Sequence, residues 1–255
     1  MKGRVAMRIT GLFFRAALCT CALAFPGLSP SGHALERDDL RLHVSFERDS
    51  LSPAVGVGQA SIDAPQGKEK TIGFAAGKRG RGVHIADGKS INYQVTDVFS
   101  ETEGTVACWV KPVGWRQGDG HNHYFMRVCG DKACFLLYKF YPGNTWVYLE
   151  GYGKTDVVGG YWDQWEDGQW TFLAFTFKPG EQAWYVNGEP NGRKTEQLLE
   201  PSFSSKAFLQ LQPGNQVIDE IMVFRRALTA QEVKAVYAAN RRWCAEQVTH
   251  LWRTR

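Results

Sequence analysis

The chain has 255 residues, 44% of them hydrophobic and 22% charged, with a formal net charge of +4. That length suits one large or two small domains, and the composition is that of a globular protein. The positive charge makes no case for a nucleic-acid or anionic-membrane partner. Four of the basic residues, Lys2, Arg4, Arg8 and Arg15, stand in the first 34 positions with no acidic residue among them.

Those 34 positions read as an export signal. A basic start is followed by an almost wholly apolar stretch at 16–28, and Ser31-Gly32-His33-Ala34 puts small residues where a signal peptidase reads. Cleavage is expected after Ala34, because the apolar run is too short to span a bilayer comfortably. Removing the segment takes the net charge from +4 to zero. The mature protein is therefore expected to be secreted, periplasmic or in the cell envelope, with no membrane span.

From position 35 the sequence breaks into short apolar-alternating runs at 40–46, 90–95, 105–111, 123–128, 133–140, 145–150, 170–178, 182–187, 207–212 and 217–224. Gly, Pro, Asn and Asp separate them, so each run reads as a strand. Lys178-Pro179-Gly180 turns one strand into the next, and Asn187-Gly188 supplies a pair suited to positive φ. About ten closely spaced strands without intervening helices predict an all-β sandwich or barrel, taken as one domain over 35–240.

The end of the chain differs. Thr229-Ala230-Gln231-Glu232 has the form of a capping box, and Val233, Val236, Tyr237, Asn240, Trp243, Cys244, Val248 and Leu251 follow helical spacing. One amphipathic helix, or a helix broken near Asn240, is expected over 229–252, with 241–255 extending beyond the domain. Its stripe either packs on the sandwich or serves a partner, including a second copy of the chain.

Of the six cysteines, Cys19 and Cys21 leave with the signal. Cys108, Cys129, Cys134 and Cys244 enter a compartment that permits disulfides. Cys129 and Cys134 bracket a turn-like stretch between two strand-like runs, so a hairpin brings them within bridging range. Connectivity stays open on sequence alone. Cys108 and Cys244 read as buried thiols, with a second disulfide as the alternative.

Several stretches, in order, resemble the concanavalin A-like, laminin G-like jelly-roll family. They are Leu42-His43-Val44-Ser45-Phe46-Glu47; Gly80-Arg81-Gly82-Val83-His84-Ile85 through Ile91-Asn92-Tyr93; and Glu103-Gly104-Thr105-Val106-Ala107-Cys108-Trp109-Val110-Lys111. Trp165 to Trp170, Tyr185-Val186-Asn187-Gly188, and Ile218-Asp219-Glu220-Ile221 through Val233 complete the set. The resemblance implies a two-sheet antiparallel jelly roll, and Trp109, Trp170 and Tyr185, which sit in apolar strand runs, are expected to be its core anchors. It also implies a structural Ca²⁺ held by Glu47 and Asp219, since relatives place an opening-strand acid near the Asp of the closing segment. The alternative is that Asp219 only hydrogen-bonds a neighbouring loop.

Catalytic chemistry is not legible. The three-carboxylate strand motif of related β-glucanases is missing, and Asp219-Glu220 are neighbours that a regular strand points to opposite faces. No nucleophile elbow, zinc motif, P-loop or Cys–His signature occurs either. His121-Asn122-His123 lacks further ligands for a transition metal and reads as a surface turn. The remaining signal is aromatic. Tyr161, Trp162, Asp163 and Trp165 crowd one loop, and Trp115, Tyr141, Trp146 and Tyr152 stand at loops or strand ends. Rings beside carboxylates and amides suit the C–H faces and hydroxyl rims of sugars. The competing reading packs Trp162 and Trp165 over the sandwich edge. The sequence thus predicts an exported, non-catalytic binding module with Trp115, Tyr161, Trp162, Asp163 and Trp165 as glycan-binding residues. A protein-interaction or envelope domain is the alternative, and a divergent polysaccharide hydrolase or lyase a third.

Overall fold

The computed structural model describes residues 37–242 except 101, 131, 132, 202, 204 and 205. The export segment and the chain beyond 242, with Trp243, Cys244, Val248 and Leu251, lie outside the described residues. The strands are β1 (Leu40–Val44), β2 (Gly58–Asp63), β3 (Gly73–Ala76), β4 (Arg81–Ile85), β5 (Ser90–Thr96), β6 (Gly104–Pro112), β7 (His123–Cys129) and β8 (Ala133–Phe140). They continue as β9 (Asn144–Gly151), β10 (Lys154–Tyr161), β11 (Thr171–Lys178), β12 (Glu181–Val186), β13 (Glu189–Lys194), β14 (Lys206–Leu211) and β15 (Gln216–Phe224), followed by helix α1 (Ala230–Arg242).

They form two antiparallel sheets. One runs β13-β12-β11-β6-β15-β4-β3, with β1 also on β15; the other runs β10-β9-β8-β7-β14-β5-β2. This is the jelly-roll sandwich the strand pattern predicts. Strand alternation fills the interior from both sides: Val106, Cys108, Val110, Leu173, Phe175 and Ile218 meet Ile91, Tyr93, Phe125, Phe135, Leu137 and Leu149.

A second, smaller core lies on the outer face of the first sheet. There Trp109, Phe172 and Met222 receive Val233, Val236 and Tyr237 of α1, and Tyr237 stacks 5.5 Å from Trp109. The apolar stripe of the described helix is therefore spent on the sandwich. Its start is the predicted capping box: Glu232 N–H donates to Thr229 Oγ1 at 3.3 Å, and Thr229 N–H donates back to Glu232 Oε2 at 2.8 Å. Among the core anchors, Trp109 and Tyr185 are buried, while Trp170 is half-buried under the Lys111 ammonium. The second sheet carries no such helix on its outer face among the described residues. We call it the open sheet.

Cys129 stands directly opposite Cys134 at the end of the β7–β8 hairpin, with the sulfurs 1.99 Å apart. Cys108 is a buried free thiol.

Candidate functional site

Loops 113–122, 141–143 and 162–170 gather at one end of the sandwich, and there the predicted aromatic residues divide. Trp165 is fully buried, its indole N–H donating to Thr145 Oγ1 at 3.0 Å. Trp115 is 6% exposed, pressed 3.7 Å from the His123 ring and flanked by Phe125 and Trp165. These two rings have no free face for a sugar. Their expected role as stacking platforms is corrected: they are core, because the loops fold inward over the sandwich end. Trp162 is half-buried against the same core. Tyr161 is the exposed one, at 66%, with its hydroxyl donating to Asp163 Oδ2 at 2.9 Å.

The His121–His123 stretch is also more than a surface turn. His123 opens β7 and shares a part-buried polar cluster with Asp119 and Lys139. Its Nε2 lies 2.5 Å from Asp119 Oδ2, while the fully buried Lys139 ammonium donates to Asp119 Oδ1 at 2.8 Å and to the His121 carbonyl at 2.9 Å. Partial burial pushes the Asp119 carboxyl up, but the hydrogen bonds from Lys139 and His123 outweigh it and hold it down at about 2.

The larger aromatic feature lies on the open sheet. Tyr124, Tyr138 and Trp146 occupy one register across β7, β8 and β9. Tyr138 sits between the other two, 5.7 Å from Tyr124 and 6.4 Å from Trp146 by ring centroids. Phe140 stacks at 4.8 Å on Trp146, and Tyr141 follows at 5.0 Å from Phe140. Gly159, opposite Trp146 on β10, has φ +152, and a Cβ there would stand 2.7 Å from Trp146 Cδ1. A Cβ there would stand closer still, 2.5 Å, to the Thr145 carbonyl oxygen, so the missing side chain lets both the β9 backbone and the indole close in. Tyr161 leans on Gly143 at the end of this belt.

Polar groups flank the rings on the same face. Arg127 pairs with Glu150, and beyond them Gln212, Gln210 and Ser90 hydrogen-bond in series. Asn92 donates to Asp63 at 2.5 Å. Of this belt, sequence reading singled out only Trp146, Tyr141 and Tyr161. Alternation held the rest: Tyr138 and Phe140 fall between the inward Phe135, Leu137 and Lys139 of one strand.

Asp219 and Glu220 depart from the expected opposite faces. A bulge between Asp219 and Met222, with Glu220 at φ +50, adds one residue to β15. Both side chains consequently lie on the outer face and are fully buried there. Glu220 Oε2 meets His43 Nε2 at 2.9 Å, and Arg79 approaches Oε1 at 3.9 Å. Asp219 Oδ2 accepts the Arg79 N–H at 3.0 Å and Oδ1 accepts the Glu220 N–H at 2.8 Å. Burial pushes the Asp219 carboxyl up to about 8 against those donors, with the Glu220 charge adding to the rise.

Glu47 reaches the same loop, for a Cβ on Gly80 would stand 2.4 Å from both its carboxylate oxygens. Two acids from distant segments thus converge on residues 78–80. A hard cation accepts such a set if backbone carbonyls or water complete the shell. Protein carboxylates alone do not complete it, since among the described residues no group of three or more His, Cys, Asp or Glu assembles around a common point.

The geometry agrees with comparison to known proteins. The family model Laminin_G_3, of the concanavalin A-like lectin/glucanases superfamily, matches residues 85–234. The chain belongs to this family. Among solved structures similar to this laminin G-like chain is domain 4 of AbnA, a GH43 extracellular arabinanase from Geobacillus stearothermophilus, in complex with arabinotriose. It matches with a TM-score of 0.63 and 25% identity, over 78% of this chain and 99% of that one. The receptor binding domain of botulinum neurotoxin D matches with a TM-score of 0.62 and 15% identity, over 79% of this chain and 53% of that one. The binding domain of botulinum neurotoxin DC, in complex with rat synaptotagmin II, gives 0.63 and 10% over 80% and 52%. The chain spans about half the length of these toxin domains, and the likeness to them is one of fold. No curated protein matches the chain.

Proposed function

We propose that the protein is an exported, non-catalytic carbohydrate-binding module that takes a glycan on the aromatic belt of its open sheet. One observation carries this reading: rings from three adjacent strands stand in register on a face that no described element covers, with Tyr124 38% exposed and Trp146 half-buried on either side of a buried Tyr138, and with Tyr141 52% exposed at the end of the row. Large rings left partly in water are costly unless a ligand uses them, and flanking amides and an ion pair supply the hydrogen bonds that sugar hydroxyls need. The arabinotriose complex of the similar arabinanase domain supports carbohydrate as the first ligand class to test.

Trp146 is the anchor because its ring is held by Phe140 on one side and the Gly159 gap on the other. A glycan array should give hits with the processed protein. Trp146→Ala should then weaken the best of them by about 10–100-fold, the range of a truncated aromatic hot spot. An unchanged affinity would remove the belt as the site. Release of reducing ends from the bound polysaccharide would instead identify a hydrolase.

Export follows from the first 34 residues, and amino-terminal sequencing of protein recovered outside the cytoplasm should begin at Leu35. Calcium enters the same reading as a structural ion held by Glu47 and Asp219 at the 78–80 loop. Its role there is to offset the buried negative charge.

A further inference from the structure

The hairpin that carries Trp146 ends in a turn that breaks a local rule. Gly151 pairs with Lys154, so the turn residues are Tyr152 and Gly153, both left-handed at φ +51 and +71. Such a two-residue turn favours Asn-Gly, and the same chain obeys that preference at Asn187-Gly188, with φ +52 and +80. A bulky residue at the first position is sterically costly. Tyr152 gains no burial in exchange, since its side chain leaves the residue 58% exposed. Local strain without a packing return points outward, to something the ring meets.

What it borders is a groove of about 910 Å³, within the size range of small-molecule sites. The groove opens where edge strand β10, the end of β13 and residues 197–201 come together. Lys194 is ion-paired with Asp156, and Asp156 Oδ2 also accepts the Leu199 N–H at 3.4 Å, so the floor is fixed before any ligand arrives. Lys154 makes no hydrogen bond or ion pair among the described residues. Glu200, which lines the same groove, accepts the Gly180 N–H at 3.1 Å and has no other partner among the described residues. The lining therefore holds two ammonium groups and two carboxylates, a neutral set rich in both donors and acceptors.

We infer that this groove is a second ligand site, and that it takes a neutral saccharide stacked on Tyr152, with its hydroxyls bonded by Lys154, Thr155 and Glu200. A strongly charged ligand would face an unmatched like charge from one of these residues. Tyr152 lies six positions beyond Trp146 on the same hairpin, about 20 Å away at strand rise. One polysaccharide chain long enough to cover that span engages both sites, and linkage of the two raises apparent affinity without new contacts. The site shares its ligand class with the proposed function but none of its residues.

The test is titration calorimetry of the processed protein with arabinotriose, xylotriose, cellotriose and laminaritriose, each too short to bridge the two sites, followed by the corresponding polysaccharide. Wild type takes up two equivalents of the trisaccharide it recognises. Tyr152→Asn takes up one, weakens apparent polysaccharide affinity at least about tenfold, and raises Tm by about 2–4 °C as the turn relaxes. The gain in Tm shows that the loss of a site is not misfolding. If Trp146→Ala is silent while Tyr152→Asn removes the only equivalent, the groove stands and the aromatic belt falls. Uptake of one equivalent that Tyr152→Asn leaves within threefold overturns the inference, as does binding of none of the four trisaccharides or of anionic polymers alone.

Discussion

Asp119→Ala should lower the stability of the domain by about 3–5 kcal/mol, read by urea unfolding at pH 7. The aspartate itself is modestly buried, but what it neutralises is not. Lys139 has no solvent access, and without the Asp119 carboxylate its ammonium keeps only the His121 carbonyl at 2.9 Å and the Trp115 face at 5.8 Å. A buried cation stranded in this way costs far more than the pair contributed. Asp119 also anchors His123, whose ring covers Trp115, so the loss spreads into the sandwich end. The double variant Asp119→Ala, Lys139→Met removes both charges and should recover most of the loss. A single-variant loss below about 1 kcal/mol would show that Lys139 finds water or another partner. The pH dependence follows from the sign of the shift. A carboxyl held at about 2 stabilises the fold above the unfolded value near 4, and that stability drains away between about pH 4 and 2.

The strands that were legible and those that were not differ in where they sit. Every interior strand but β4 shows its apolar alternation in sequence, because one face of it is core. The four unread edge strands are β2 and β10 in the open sheet and β3 and β13 in the other. Water reaches an edge from a further side, so these segments tolerate Gly159, Gly160, Pro190 and Gly192, which a central strand would exclude. β4 was visible only through family resemblance. The disulfide was readable as hairpin geometry, and the capping box from its spacing.

The site was half legible. Aromatic richness announced stacking surfaces, but composition does not say which rings face in. Trp115 and Trp165 stand in polar, loop-like sequence and are buried in the sandwich end, whereas Tyr138 lies in an apolar run, turns to the outer face between Tyr124 and Trp146, and is buried there by its neighbours. The bulge that unites Asp219 and Glu220 has no sequence signature. A regular period of two assigns them to opposite faces, and only the extra residue in register with Trp109 and Ala107 reverses that.

That bulge sets the second large effect. Without calcium, the domain should lose up to about 5 kcal/mol of stability as pH rises from about 4 to about 8. Burial raises the Asp219 carboxyl to about 8, so in this window the folded chain holds a proton that the unfolded chain releases. The state binding more protons weakens as pH increases, and the loss is complete above the folded value. Asp219→Asn keeps the shape and removes the titration. It should match wild type near pH 4 and exceed it near pH 8. The difference between the two proteins isolates this residue from Asp119, whose stabilisation changes below pH 4. Calcium held at the 78–80 loop would flatten the wild-type curve, because the cation favours the ionised carboxylate that burial opposes. The thermal shift on adding calcium should therefore grow with pH and vanish in Asp219→Asn. A wild-type curve that is flat in chelator from pH 4 to 8 would mean that the side chains of Arg79 and His43, which meet the neighbouring Glu220, already balance the buried acids, and that no metal is needed there.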